Sequence, residues 1–374
     1  MTKKTLVNLI SKQTIPNYLF IKEFYAPGDQ LMFITSKSMK EKMNHILDTL
    51  GETYSKQVIE IDEENWSSMT EKIEAKLLKN SKYLINTTCG TKFMSLAVQS
   101  VFQKYDSSFF YIPNPENKLL APFADKILPI KYRVGIPEYF RLHNIPYREK
   151  KIIKDKEYTF SFFNYFTKPI LTNRNFEIIE LLRENYRDKK SISIKEVEQY
   201  NLDPRYPKRV GIPDLSDFLT FIEFPLDNQG KLNKKELEYL TGGWFEEYIY
   251  HLIKKHIQVQ DIAIGVEILK ADTTNQNDLD VVFTFGNKLF VIECKTGINK
   301  QSIFNQTVYK ASSLKETMFG LPGNTFIFSL SKENEEFIRM AKNMNVDYYG
   351  YEYFLEEDKL KELMAKIINI AKNQ

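Results

Sequence analysis

The chain has 374 residues, of which 43% are hydrophobic and 27% charged, with a net charge of +3. That length accommodates two domains of ordinary size, and the charge is too small to mark a nucleic-acid binder by itself. Two cysteines, Cys89 and Cys294, exclude a disulfide framework or a Cys-rich zinc site, and four scattered histidines add no zinc spacing.

In chain order, the apolar pattern predicts a buried strand over 5–10 and a polar loop over 11–17 that carries Ser11 and Gln13. A second strand over 30–34 closes on the polar turn 35–38, with Thr35 and Ser36. A helix over 39–50, a strand over 57–61, a helix over 69–78 and a strand over 83–85 follow. The segment 86–92 then leads into a helix over 93–103 and a strand over 109–112. Such alternation predicts a mostly parallel α/β sheet covered on both faces, with ligands beyond the carboxyl ends of its strands. The loops 11–17, 35–38 and 86–92 all lie there. The expected first domain is 1–145.

Residues 146–235 change character, with many charges and six prolines. Helices are expected over 176–186 and 194–200, in a connector or a small helix-turn-helix-like unit. A mild basic bias there is explained equally well by a solvated surface. The second domain is expected over 236–374. It opens with an amphipathic helix over 236–255. Strands over 280–285 and 288–294 are joined by Gly286-Asn287, a hairpin signal. A helix over 302–319, a strand over 325–330 and a helix over 334–342 complete the pattern. No apolar run is long enough to span a membrane, and the N-terminal run is too short for a signal peptide, so a reducing cytoplasm is expected.

The chemistry concentrates at Asp280 and the Glu293-Cys294-Lys295 tripeptide. Glu-x-Lys occurs five times in the chain, but only here does it end an apolar strand preceded by an Asp-headed one. Period-two geometry puts Glu293 and Lys295 on one strand face. A buried unpaired carboxylate is unfavourable, and a divalent cation shared by Asp280 and Glu293 would remove that cost. Mg²⁺ and Mn²⁺ prefer such oxygen ligands, and Lys295 would sit beside them to orient water or stabilise charge on a phosphate. A buried Lys–carboxylate pair without function remains the alternative. Upstream, the turn 86–92 offers hydroxyls, backbone N–H groups, Gly90 and Lys92 at a helix start, a suitable place for a phosphate. An ordinary strand-to-helix turn explains it as well.

Asp280 followed by Glu293-x-Lys295 resembles the PD-(D/E)XK core of restriction-endonuclease-like nucleases. Thr241-Gly242-Gly243-Trp244-Phe245-Glu246 resembles that superfamily's first motif, with Glu246 directed to the metal and Glu247 as a neighbouring alternative. Leu279 stands where the nominal motif has Pro. The resemblance implies a restriction-endonuclease-like α/β domain with a mixed central sheet, catalytic Glu246, Asp280, Glu293 and Lys295, and metal ligands Asp280, Glu293 and Glu246. Gln306 and Lys310 on the following helix match positions that often serve the site or substrate. Asn86, Thr88, Gly90, Thr91 and Lys92 resemble the signature of CARF domains, the Rossmann-like sensors of type III CRISPR systems. Together the two halves resemble ancillary CRISPR nucleases activated by cyclic oligoadenylate, usually cyclic tetra-adenylate. This implies a homodimer binding one ring through Ser11, Gln13, Thr35, Ser36, Asn86, Thr88, Gly90, Thr91 and Lys92, and cleaving DNA and/or RNA. A ligand-responsive nucleic-acid-binding regulator, a ring nuclease degrading its own messenger, and a constitutive nuclease are the competing readings.

Overall fold

The computed structural model describes residues 3–51, 54–113, 117–150, 152, 154–167, 182–183, 185–186, 189–195, 215–269, 277–296, 301–318 and 324–372. The N-terminal half contains β1 (Lys4–Leu9), α1 (Ile15–Phe24), β2 (Gln30–Ser36), α2 (Lys40–Leu50), β3 (Lys56–Ile61), α3 (Trp66–Glu74), β4 (Lys82–Asn86), α4 (Lys92–Phe102) and β5 (Ser107–Phe110). These five strands form one parallel sheet in the order β3-β2-β1-β4-β5. The chain therefore winds one way from β1 to β3 and the other way from β4 to β5. Its switch point lies between β1 and β4, where Asn8 is paired with Asn86. Leu6, Val7 and Leu9 are fully buried because helices cover both faces of β1.

The hairpin β6 (Lys118–Ala121) and β7 (Lys126–Pro129) follows, then α5 (Ile136–Leu142) and β8 (Tyr147–Glu149). Beyond these lie α6 (Lys156–Thr167), β9 (Ser191–Ser193), α7 (Leu215–Phe221), β10 (Lys231–Asn233) and α8 (Lys234–Glu238). The C-terminal half holds α9 (Trp244–His256), β11 (Asp261–Ile268), β12 (Asn277–Phe285), β13 (Lys288–Lys295), α10 (Gln301–Met318), β14 (Asn324–Ser329), α11 (Glu335–Asn343), β15 (Asp347–Tyr349), α12 (Glu352–Leu355) and α13 (Glu357–Lys372). Its sheet runs β15-β14-β13-β12-β11-β8, parallel over β13 to β15 and antiparallel elsewhere. The fold is thus the expected pair of α/β units, one parallel and one mixed. Among the described residues no helix is long and apolar enough to cross a membrane.

Several local expectations are corrected. The loop over 11–17 gives way at Ile15 to α1, whose Pro16 occupies the first turn, where a missing N–H costs nothing. The turn drawn over 35–38 begins too early, since Thr35 and Ser36 end β2 and are buried. The single helix over 236–255 is interrupted: Gly242 leaves helical geometry at a kink, and α9 starts afresh at Trp244. The helices expected over 176–186 and 194–200 fall mostly outside the described residues.

The two halves share a core. One cluster joins Leu6, Leu31 and Phe33 of the first sheet, through Ile136, Phe140 and Leu142 of α5, to Val266, Leu279, Val282 and Leu289 of the second. Polar clasps reinforce it. Asn117 donates to Gly286 O at 2.8 Å, and Asn287 accepts from Val134 N at 2.8 Å. Ile136 N donates to Asp261 at 3.0 Å. The turn at Gly286-Asn287, where both residues have positive φ, is what presents that docking surface. A continuous core of this kind ties the position of one sheet to that of the other.

Candidate functional site

Strands β12 and β13 pair as far as Val281 opposite Ile292, so Asp280 and Glu293 are the next residues on the two strands. The Asp280 carboxylate accepts from Cys294 N at 2.7 Å, which fixes its orientation. Glu293 is completely buried. The Lys295 ammonium lies between the two, 3.4 Å from Asp280 Oδ2 and 3.3 Å from Glu293 Oε2. Lys310, on α10, reaches the same carboxylate, 2.8 Å from Glu293 Oε1 and 3.1 Å from Oε2, and donates to Asp278 O at 2.6 Å. Gln306 is exposed on that helix.

Glu246 stands in the first turn of α9, directly after Gly242-Gly243. A Cβ at Gly243 would come within 3.3 Å of Glu238 O, so the close approach of the preceding turn depends on that glycine. Burial, followed by the Asp280 charge, pushes the partly buried Glu246 carboxyl up to about 8, against opposing fields from Lys150 and Lys295. Burial and then Asp280 also raise Glu293. For Lys295 burial acts downward, but Asp280 and then Glu293 outweigh it and hold the ammonium above the usual lysine range. The Cys294 thiol is pushed well up by burial and then Asp280. Glu247 is turned elsewhere, and its carboxylate accepts from Lys154 N at 3.1 Å. Of the two adjacent glutamates, Glu246 is the one coupled to this cluster.

Sequence reasoning missed Arg183. Its guanidinium donates to Thr241 O at 2.6 Å and to Thr296 Oγ1 at 2.8 Å. It thereby staples the turn before α9 to the residue following Lys295. A lone arginine in a charged stretch carries no signal of that role.

Among the described residues no three His, Cys, Asp or Glu side chains form a ready group for a metal ion. Glu246, Asp280 and Glu293 are thus electrostatically coupled without forming a closed cage. The donor set nonetheless fits a hard divalent cation. Asp280 and Glu293 supply carboxylate oxygens on adjacent strands, and buried Glu293 Oε1, despite the nearby Lys310 charge, receives no aligned hydrogen bond.

The charge frustration makes a prediction. With its carboxyl raised to about 8 from an ordinary 4.5, folded Glu246 retains a proton that the unfolded chain releases. Stability from this group is therefore present below about 4.5 and lost as pH rises to about 8. In chelator-treated protein, Glu246→Gln should gain in melting temperature over wild type as pH climbs through that window. A difference independent of pH would refute the coupling.

At the switch point, Asn86 is buried and its amide is fully engaged. It donates to Asn17 Oδ1 at 2.8 Å and to Pro16 O at 3.4 Å, and accepts from Thr88 N at 3.1 Å and Thr88 Oγ1 at 2.6 Å. Thr88 Oγ1 accepts in turn from Ile112 N at 2.7 Å. Asn86 and Thr88 therefore build the loop and present no free group. Gly90 has φ +86°, and a Cβ there would lie 3.1 Å from Leu9, so this turn needs glycine. Thr91 caps α4, accepting from Met94 N at 3.1 Å, and Lys92 beside it is exposed. Across the switch point, partly buried Ser11 accepts from Gln13 N at 3.2 Å. Thr35 and Ser36 are buried, Thr35 donating to Ser36 O at 3.0 Å and Ser36 bonding Ser38 at 3.0 Å. The groups left open at this end of the sheet are thus the α4 terminus with exposed Lys92, and the partly buried Ser11 and Gln13.

Comparison with known proteins assigns both halves. Residues 5–139 match the family model of the Card1 CARF domain, and residues 233–368 match the Card1-like endonuclease domain. Among solved structures, protein VC1899 from Vibrio cholerae is similar over 99% of each chain at 18% identity, with a TM-score of 0.78. Can2 from Sulfobacillus thermosulfidooxidans, solved in complex with cyclic tetra-adenylate, covers 99% of this chain and 97% of its own at 18% identity, with a TM-score of 0.71. A type III CRISPR defence DNA nuclease activated by cyclic oligoadenylate covers 98% of this chain and 52% of its own, at 14% identity and a TM-score of 0.57. At such identities these likenesses establish the fold. Among curated proteins no relative matches by sequence.

Proposed function

Because the chain belongs to the proteins that join a Card1-type CARF domain to a Card1-like endonuclease domain, we propose that it is a metal-dependent nuclease of type III CRISPR defence, activated by a cyclic oligoadenylate. The observation that carries this reading is the Asp280/Glu293/Lys295 cluster at the end of β13, on one chain with a switch-point loop that leads into the Thr91-capped start of α4. Asp280 and Glu293 would hold Mg²⁺ or Mn²⁺, and Glu246 would add its charge where the cation displaces the proton it otherwise retains. The bound ion would act as Lewis acid toward a phosphodiester and its attacking water. Lys295 is placed to orient that water or to stabilise charge gathering on a non-bridging phosphate oxygen. Lys310, 2.8 Å from Glu293 Oε1, holds that carboxyl in place and favours its ionised form against burial and Asp280.

Cyclic tetra-adenylate is the ring we favour, in keeping with the ligand of Can2. We place it at the carboxyl ends of β1 and β4, against Ser11, Gln13, Gly90, Thr91 and Lys92. Asn86, Thr88, Thr35 and Ser36 would shape that pocket from within. A second copy of the chain would complete it: α4 exposes Phe93 and Leu96, and Trp66 lies 5.3 Å from the Phe93 ring, an apolar face that a homodimer would cover. The substrate we propose is DNA and/or RNA. The deciding experiment is cleavage of plasmid, single-stranded DNA and RNA with and without cyclic tetra-adenylate and Mn²⁺. Cleavage that ignores the messenger would leave a constitutive nuclease, and no cleavage with both present would leave a regulator.

Lys295→Ala should slow turnover about 10²-fold, the usual cost of removing one preorganised electrostatic group, while Mn²⁺ still binds. Single-turnover rates alongside Mn²⁺ titration measure this. Loss of metal binding with a normal rate at saturating metal would give Lys295 a purely structural part.

A further inference from the structure

The strand β8 is only three residues long, yet it completes the edge of the nuclease sheet from the segment directly after the sensor domain. Two ion pairs accompany its backbone ladder to β11. Glu267 of β11 pairs with Arg148, and two residues on, Lys150 Nζ lies 3.8 Å from Asp278 Oδ2. The Lys150 backbone N–H closes the strand, 3.2 Å from Gly265 O and 3.3 Å from Ile264 O. Gly265 has φ +56°, and a Cβ there would meet the Lys150 stem at 2.6–2.9 Å. The missing side chain is therefore what lets Lys150 lie across β11 toward β12. From Asp278 the path continues inward: its carbonyl accepts from Lys310 at 2.6 Å, and Lys310 holds buried Glu293 at 2.8 Å. Asp278 Oδ1 is buried without a hydrogen bond, and among the described residues Lys150 is the cation paired with this side chain, through Oδ2.

We infer that Lys150 is a positioning residue of the nuclease site, acting through Asp278 and Lys310 to hold Glu293 in its working orientation; this rests on the nuclease reading above. Lys150 also works with Lys295 against the repulsion between Glu246 and Asp280. The strand that leaves the sensor thus contributes a charge to the chemistry. Its place is set by α5, since Tyr147 of β8 packs edge-on against Phe140 at 4.6 Å.

Lys150→Met tests this cleanly, because the stem over Gly265 is kept and only the charge is lost. With full-length protein at saturating cyclic tetra-adenylate and Mn²⁺, kcat should fall about 10- to 100-fold, the usual cost of an outer-shell partner. KM and calorimetric messenger binding should stay at wild-type values, and Lys150→Arg should restore most of kcat. Full kcat in Lys150→Met, a rise in KM alone, or a Lys150→Arg variant as slow as Lys150→Met would each overturn the inference. Wild-type protein that cleaves no nucleic acid would defeat the nuclease reading itself, and this inference with it, whereas an active wild type beside a fully active Lys150→Met defeats this inference alone.

Discussion

Glu293→Gln should abolish cleavage, with turnover falling at least about 10³-fold, while the protein folds and binds its messenger normally. Glu293 is fully buried, and two ammonium groups converge on it, Lys295 at 3.3 Å and Lys310 at 2.8 Å. Glutamine keeps the shape but removes the charge that both lysines and a divalent cation require. Asp280→Asn should match it for a related reason. Asp280 Oδ2 accepts from Cys294 N, so an asparagine must keep its oxygen on that N–H and turn its NH₂ group toward the site. A donor would then replace a metal-binding oxygen. Messenger binding, measured by calorimetry, separates a lost active site from a lost fold. Near-normal turnover of either variant at saturating Mn²⁺ would remove these carboxylates from the chemistry.

How much of this was readable beforehand depends on where the side-chain pattern and the backbone agree. At β13 they do: LFVIECK is apolar until its last three residues, and period two alone puts Glu293 and Lys295 together. The Gly286-Asn287 turn is likewise local chemistry. The stripe over 236–255 persists through Gly242-Gly243, so periodicity hid the break that starts α9 beside Glu246. Helix α1 was missed because seven of its ten residues are buried, leaving no polar face to give it a period. Thr35 and Ser36 read as a turn because hydroxyls look solvent-seeking, although neighbouring oxygens satisfy them inside β2. Asn86 matches a ligand-binding motif by residue type, yet its amide is consumed by Asn17, Pro16 and Thr88. Arg183 and Lys150 act over long sequence separations, and nothing nearby in the chain announces their partners.

Binding of the messenger should show one ring for every two chains, and Lys92→Ala should raise the concentration for half-activation about 100-fold. The stoichiometry follows from symmetry. A ring of identical nucleotides presents the same face twice, and two copies of the β1 and β4 loops can each take half of it. The magnitude follows from the same count. A charge-assisted hydrogen bond contributes roughly 1.5–3 kcal/mol when sheltered, and an exposed lysine sits at the low end, about tenfold. The two-fold axis makes each substitution act twice. Lys92 stands beside the cap of α4 and takes no part in either core, so messenger-independent activity should be unchanged. A linear adenylate of the same length should activate poorly, because ordering it adds entropic cost that the closed ring does not carry. A ligand can activate only by binding the active state more tightly than the inactive one. The core running from the first sheet through α5 to β11, β12 and β13 is the physical route by which that preference can reach Glu293. Calorimetry giving one ring per chain, or scattering showing an activated protein that stays monomeric, would sink the two-fold pocket.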